Sequence, residues 1–422
     1  MLYKKYEMNS FNLYTIKTDK FKNCHMEVIF RKQVGINNVT RRVFLNDLLA
    51  YSSKQYPTKR EMNIYLEEIY NAYFSSVTSR SGNVLMSVYS LDFIAPKYTE
   101  EDMLRQSLKL PFEFLFNPNI VDGAFDLGSY NVIKNRLYSE FETMRENAAK
   151  FAIRNAIKSM DNDSVSSITM PGIKAELDDI TREDLVKEYK DMLESDVCDI
   201  FIIGDLDMDS VAEIIKEECL LRSLKRDDVD IYVENKSNKK VSVIHEKEAF
   251  SQAQLVMIYN LENLTSRERN TVIGVFNSIF GSGSISSKLA QNLREKNSLC
   301  YTVSPILQKN DNLLFVYAGI DVKNFEKAVR LVKKSLVEMQ QGDFSEEDVE
   351  DAKLYLTTVL RLAEDSEYRL VDNYVYNVIS DRELIQDEMK NLKTVSKMEV
   401  IAVAKKLKLN TVYCLSEDGD VI

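Results

Sequence analysis

Histidine is nearly absent from this chain: His25 and His245 are the only two in 422 residues. Each sits in a strand-like run of alternating residues. Neither has a second histidine one helical turn away, so a helical two-imidazole metal site is excluded and both are expected to be structural. Cysteine is sparse and unpatterned. Cys24, Cys198, Cys219, Cys300 and Cys414 are odd in number and lack CxxC spacing, which argues for reduced, mostly buried thiols in a cytoplasmic protein. Positive charge is outweighed, with 55 Lys and Arg against 66 Asp and Glu. The net −11 repels a phosphate backbone, so nucleic acid is not an expected partner. No run approaches eighteen apolar residues, and the N-terminal MLYKKYEMNSF has neither the apolar core nor the cleavage site of a secretory signal. No membrane partner is therefore expected.

What is present is length and repetition. A chain of 422 residues with 45% hydrophobic content can bury large cores and divides into two or three domains by size. ITREDLVKEYKDMLESDVCDIFIIGD (180–205) reads as an amphipathic helix, then an apolar strand ending in Gly-Asp. TVSKMEVIAVAKKLKLNTVYCLSED (394–418) reads as helix, short turn, strand and acid. A period near 215 residues means two copies of one domain rather than a solenoid.

The element order agrees. In the first half, strand CHMEVIFR precedes helices near 40–54 and at KREMNIYLEEIYN. The strand pair AYFSSVTSR and NVLMSVYSLDF and a long helix near 126–159 follow. In the second half, strands KVSVIH and AQLVMIYN precede helices near 265–279 and 285–296. Strands YTVSPILQK and NLLFVYAGI and helices near 323–341 and 345–370 complete it. Thr99-Glu-Glu-Asp102 and Ser345-Glu-Glu-Asp348 carry helix-start signals. The expected fold class is α+β: two homologous domains, 1–221 and 241–422, each a mainly antiparallel sheet packed by helices. The polar stretch 222–240 joins them.

Glycine is scarce too, 12 in all, yet two fall in FGSGSISSKLAQNLREKNSLCY (280–301). A phosphate loop requires Lys-Ser/Thr after the last glycine, or a third glycine where Ser286 stands, and this stretch has neither. Val272, Val275, Phe276 and Ile279 before the turn fit a helical period, so the turn joins helix to helix as a glycine C-cap followed by a serine N-cap. Beyond it Ile285, Leu289 and Leu293 are expected to face the core. Arg294 lies at the stripe's edge, and Tyr301 is expected to open the next strand. Both are long donors able to reach a peptide carbonyl.

The combination of that turn, SSKLAQNLREKNSLCYTVSP and FSEEDVEDAKLYL resembles the C-terminal domain of insulinase/pitrilysin (inverzincin) zinc peptidases. MPGIKAELDDITREDLVKEYKDML with CDIFIIGDLDMDSV resembles the end of that family's N-terminal domain. VFLNDLLAYSSKQYPTKREMNIYLEEI resembles its metal-bearing helix and the helix after it. The resemblance implies a chain forming half of a clam-like peptidase chamber. The family's HxxEH motif supplies two zinc-binding histidines and a glutamate base, with a distal glutamate as third ligand. Laid on this chain, those positions become Val43, Asn46 and Asp47, with Glu140 as the distal acid.

Valine offers no lone pair, asparagine is no base near neutral pH, and two carboxylates do not make a peptidase zinc site. No metal, cofactor or catalytic residue is thus expected in this chain. The resemblance further implies that Arg294 and Tyr301 hold substrate and stabilise the developing oxyanion. A homologous HxxEH partner would supply zinc, and the substrate would be a peptide or small unfolded protein. Among such subunits the chain most resembles the firmicute type associated with elongation factor P modification. Two alternatives stand beside this one: a non-enzymatic peptide-binding scaffold, and a homodimer holding residual metal through Asp47 and Glu140.

Overall fold

The computed structural model describes residues 3–35, 38–144, 146–222, 229–235, 240–250 and 252–417. Parts of the expected linker, 223–228 and 236–239, lie outside the described residues. The chain divides into two compact units. The first comprises Met1–Glu142, Ile168–Ile231 and Glu367–Val375. The second comprises Thr143–Ser167, Tyr232–Ser366 and Tyr376–Ile422.

In the first unit the strands are β1 (Lys4–Glu7), β2 (Asn12–Lys17), β3 (Asn23–Gln33), β4 (Tyr73–Ser81), β5 (Val84–Ile94), β6 (Ile120–Val121), β7 (Ala124–Phe125) and β8 (Val197–Gly204). Six form one sheet in the order β1-β2-β8-β3-β5-β4, and β6 pairs with β7. β8 runs parallel to β2 and antiparallel to β3. Its residues VCDIFIIG are buried throughout, the apolar run expected of an inner strand. β4 is an edge, paired through β5 alone within its sheet.

The second unit holds β9 (Ser242–Lys247), β10 (Ala253–Leu261), β11 (Val303–Gln308), β12 (Leu313–Ile320) and β13 (Leu407–Ser416). Their order is β9-β13-β10-β12-β11, which repeats β2-β8-β3-β5-β4 of the first unit. β13 again lies parallel to one neighbour, β9, and antiparallel to the other, β10. β8 and β13 are the strands of the two similar sequence segments. Each follows its own helix, Arg182–Ser195 and Lys397–Lys405, both opened by a capping box. The expected pair of α+β domains is what the fold shows. Helix Ala148–Met160 lays Ala152, Ala156 and Ile157 on Val256, Ile258 and Phe315 of the second sheet.

Several local expectations are corrected. The helix expected across 126–159 is two, Leu127–Thr143 and Ala148–Met160, the second capped by the Asn147 side chain accepting from the Lys150 N–H. The helix expected near 40–54 ends at Leu49, and that near 345–370 ends at Ala363. Ser345 and Asp348 form the expected capping box. Thr99 caps no helix: its hydroxyl donates to the Pro96 and Glu101 carbonyls, and the helix begins at Leu104, whose N–H donates to Asp102.

Gly283 is a helix C-cap as expected, though with φ −90 rather than left-handed. Ser284 is not a helix N-cap but accepts from the Ser286 N–H in a short turn. The glycines answer to crowding: a Cβ on Gly281 would lie 2.6 Å from Pro305 Cδ, and one on Gly283 2.2 Å from Ser278 Oγ. Leu289 and Leu293 are buried as expected. Ile285 is 58% exposed, because helical structure starts only at Lys288.

Candidate functional site

Val43, Asn46 and Asp47 lie on one helix of the first unit, Val39–Leu49. Arg42, just before them, is fully buried and anchors that helix. Its guanidinium pairs with buried Asp196 and, at 2.8 Å, with Glu188, which also receives Lys32 Nζ at 2.8 Å. Val43 turns into the core. Asn46 is buried with both polar atoms of its carboxamide lacking a hydrogen-bond partner among the described residues, and Tyr89, close enough to feel the charges of Arg42 and Asp47, has a buried hydroxyl in the same condition.

Asp47 meets a guanidinium. Arg136, one turn before Glu140 on helix Leu127–Thr143, pairs with the Asp47 carboxylate. Burial raises the Asp47 carboxyl above its ordinary pKa, Arg136 pulls it back, and the charge of Glu140 adds to the rise. The fold therefore does bring Asp47 and Glu140 within electrostatic reach, but with the Arg136 guanidinium paired to the Asp47 carboxylate. A valine, a neutral amide and an acid already paired to arginine do not fit a zinc ion. Among the described residues no group of three or more His, Cys, Asp or Glu side chains is placed to hold a metal.

Both histidines have structural surroundings. His25 is fully buried in β3, with Nδ1 2.8 Å from Asp92 and Nε2 3.1 Å from Glu27. Burial opposes its charge, but the two carboxylates outweigh it and hold its pKa up at about 9. His245 on β9 packs its ring 4.8 Å from that of Phe325.

Arg294 and Tyr301 belong to the second unit. Arg294 sits on the π-helical segment Ala290–Glu295, and its Nε donates to Glu295 at 2.7 Å. The chain then turns through Ser298, whose φ is 50, with the Ser298 N–H on the Arg294 carbonyl and the Leu299 N–H on that of Leu293. This turn delivers Tyr301 two residues before β11 rather than at its first position, correcting the expected strand start. Its side chain is 87% exposed. Burial pushes the neighbouring Cys300 thiol up to about 11, while Arg294 opposes that rise, so the guanidinium charge reaches this turn. The structure thus presents two solvent-facing donors on one short segment.

Sequence reasoning missed Arg136 and the Arg42–Glu188–Asp196 cluster. The signals were there: KNRLYSEFE carries an arginine one turn before Glu140, and RRVFLNDLL places charge inside an apolar helix.

Residues 179–356 match the peptidase M16 inactive domain. Arg294 and Tyr301 fall inside the matched segment, whereas Val43, Asn46, Asp47 and Glu140 precede it. Across 408 residues the chain is 27% identical to the probable inactive metalloprotease YmfF of Bacillus subtilis, covering 95% of this chain and 94% of that protein. A conserved protein from Enterococcus faecalis V583 superposes with TM-score 0.93 at 25% identity, covering all of both chains. An M16 inactive domain from Pseudomonas fluorescens superposes with TM-score 0.80 at 17% identity, covering 99% and 98%. The M16-like fold thus extends well beyond the matched segment. No helix among the described residues is long and apolar enough to cross a membrane.

Proposed function

We propose that this chain is the non-catalytic subunit of a two-chain zinc peptidase, supplying Arg294 and Tyr301 to a homologous partner that carries HxxEH. One observation carries the reading. At the eroded metal site Asp47 is paired with Arg136, while a guanidinium and a largely exposed phenol stand on one short segment. Preorganised N–H and O–H donors of this kind bind a peptide carbonyl and gain strength as negative charge develops on its oxygen. The metal, the attacking water and the base belong to the partner, and the substrate is a peptide or small unfolded protein. Cytoplasmic location follows from the reduced-thiol reading, and five buried cysteines outside any disulfide support it. The association with elongation factor P modification remains part of this reading.

Co-expression with an HxxEH homologue encoded beside this chain, then co-purification and peptide-cleavage assay, tests it. The complex is expected to cleave while neither chain does alone. Removing one transition-state donor costs about 10²–10³ in turnover in comparable sites, so Arg294→Ala or Tyr301→Phe should lower kcat without preventing assembly. Full activity of both variants sinks the proposal.

A second reading, a peptide-binding scaffold, is favoured by the edge strand β4, whose open side can pair with an extended peptide. Peptide binding without any cleavage-competent partner distinguishes it.

A further inference from the structure

Away from Val43–Asp47 and from Arg294, the first unit contains a cavity of about 390 Å³ at the start of β4. Strand register builds it. Asp92 of β5 stands opposite His25 of β3 on one side and Tyr73 of β4 on the other. Tyr70, Tyr73 and Tyr368 line the cavity, and each presents a partly exposed ring. Tyr70 is fixed by its hydroxyl accepting from the Glu100 N–H at 2.9 Å, and Tyr368 by donating to Asp92 and packing its ring 4.3 Å from that of His25.

Two carboxylates face this space, Asp92 and Glu367. Asp92 is committed to His25 and Tyr368. Glu367 is half-buried, and among the described residues its side chain makes no hydrogen bond or ion pair. With His25 protonated, its partners Asp92 and Glu27 together with Glu367 leave the cluster two charges negative.

We infer that this cavity is a binding site for a primary alkylammonium group, a lysine side chain or a peptide α-amine. Glu367 supplies the counter-charge, and the rings of Tyr70, Tyr73 and Tyr368 supply cation–π faces and apolar walls. The choice between cations follows from the lining. Calcium takes six to eight oxygen ligands, and here one carboxylate is uncommitted. An alkylammonium needs a single anion and aromatic surface for its stem. The site requires neither Arg294 nor a partner chain, so its test is independent of the two-chain reading.

The experiment is saturation-transfer NMR on the full chain with three probes. Nα-acetyl-lysine N-methylamide carries the side-chain amine, norleucine N-methylamide carries the α-amine, and Nα-acetyl-norleucine N-methylamide is the neutral isostere. At least one cationic probe is expected to bind and the neutral probe to fail, and which cationic probe binds identifies the source. Glu367→Gln and Tyr73→Ala, each melting like the parent, are expected to weaken binding by about fivefold or more. Equal binding of neutral and cationic probes overturns the inference. So does unchanged affinity in Glu367→Gln, or binding by none of the three.

Discussion

Replacing Arg42 by methionine keeps the length and apolar stem of the side chain and removes only the guanidinium. In the structure that group is fully buried against Asp196, itself buried, and against Glu188 at 2.8 Å. Glu188 keeps Lys32 at 2.8 Å, so the main orphan is Asp196. Among the described residues, its other side-chain contact is the Ser195 hydroxyl at 3.4 Å, too long to compensate. Removing one partner of a buried ion pair costs about 3–5 kcal/mol. For a unit of roughly 200 residues, at ~2–4 °C per kcal/mol, that is a fall of about 6–20 °C in Tm.

The pH dependence has a definite sign. Burial pushes Glu188 up, but Arg42 and Lys32 outweigh it and hold its pKa below the ordinary 4.5. A depressed carboxyl contributes stability above its unfolded pKa and loses it as pH falls through the folded value. The gap between parent and variant is therefore widest near neutrality and narrows below about pH 4. Thermal and urea unfolding followed by circular dichroism at pH 7.5 and pH 4 measure both quantities. A loss under about 1 kcal/mol at pH 7.5, or a gap that widens in acid, refutes the reasoning.

Three further outcomes are expected. The His25 pKa, held at about 9 by Asp92 and Glu27, exceeds its ordinary 6.5. Its contribution, on the order of 3 kcal/mol, is complete below about pH 6.5 and is lost as pH rises through about 9. His25→Gln should flatten that alkaline decline in urea-unfolding profiles, and an unchanged slope counts against the triad. Gly283→Ala places a Cβ 2.2 Å from Ser278 Oγ and 2.9 Å from the Ser278 carbonyl oxygen. It should destabilise the second unit by ~1–3 kcal/mol, and unaltered thermal unfolding contradicts the crowding argument. Asn46→Leu removes a buried carboxamide with no partner among the described residues and should leave Tm equal or higher; a clear fall shows that the amide is satisfied after all.

The duplicated architecture was legible because periodicity and segment similarity are local: 180–205 and 394–418 announced β8 and β13, which take equivalent places in their sheets. Boundaries were less legible where side chains from distant segments decide them. Nothing in 126–159 signalled strongly that Asn147 would cap a second helix. That Val43, Asn46 and Asp47 are not the His, Glu and His of HxxEH could be seen from residue types alone. What replaced them could not, because the pairing of Arg136 with Asp47 depends on two helices meeting. For the same reason His25 read as an unremarkable strand residue, although register places it against Asp92. Sequence separation hides a charge partner unless a helix period or a ladder register reveals it.

On the proposed reading of helix Val39–Leu49 as a former metal helix, the Arg136–Asp47 pair adds a second barrier to metal that can be separated from the missing ligands. Val43→His, Asn46→Glu and Asp47→His together rebuild HxxEH on helix Val39–Leu49, with Glu140 on the neighbouring helix. If missing ligands were the whole reason for not binding metal, this triple variant would take zinc. Arg136, however, reaches position 47 and would bring a guanidinium to the same space. At ~4 Å and an effective dielectric near 20, two unit charges repel by about 4 kcal/mol, and a dication doubles that. Even a quarter of this repulsion, about 2 kcal/mol, amounts to more than tenfold in affinity. Adding Arg136→Gln should therefore tighten zinc binding well beyond the triple variant in a competitive chelator titration, with both proteins melting alike. Equal affinity in the two would show that Arg136 swings aside, leaving ligand loss as the only barrier to metal.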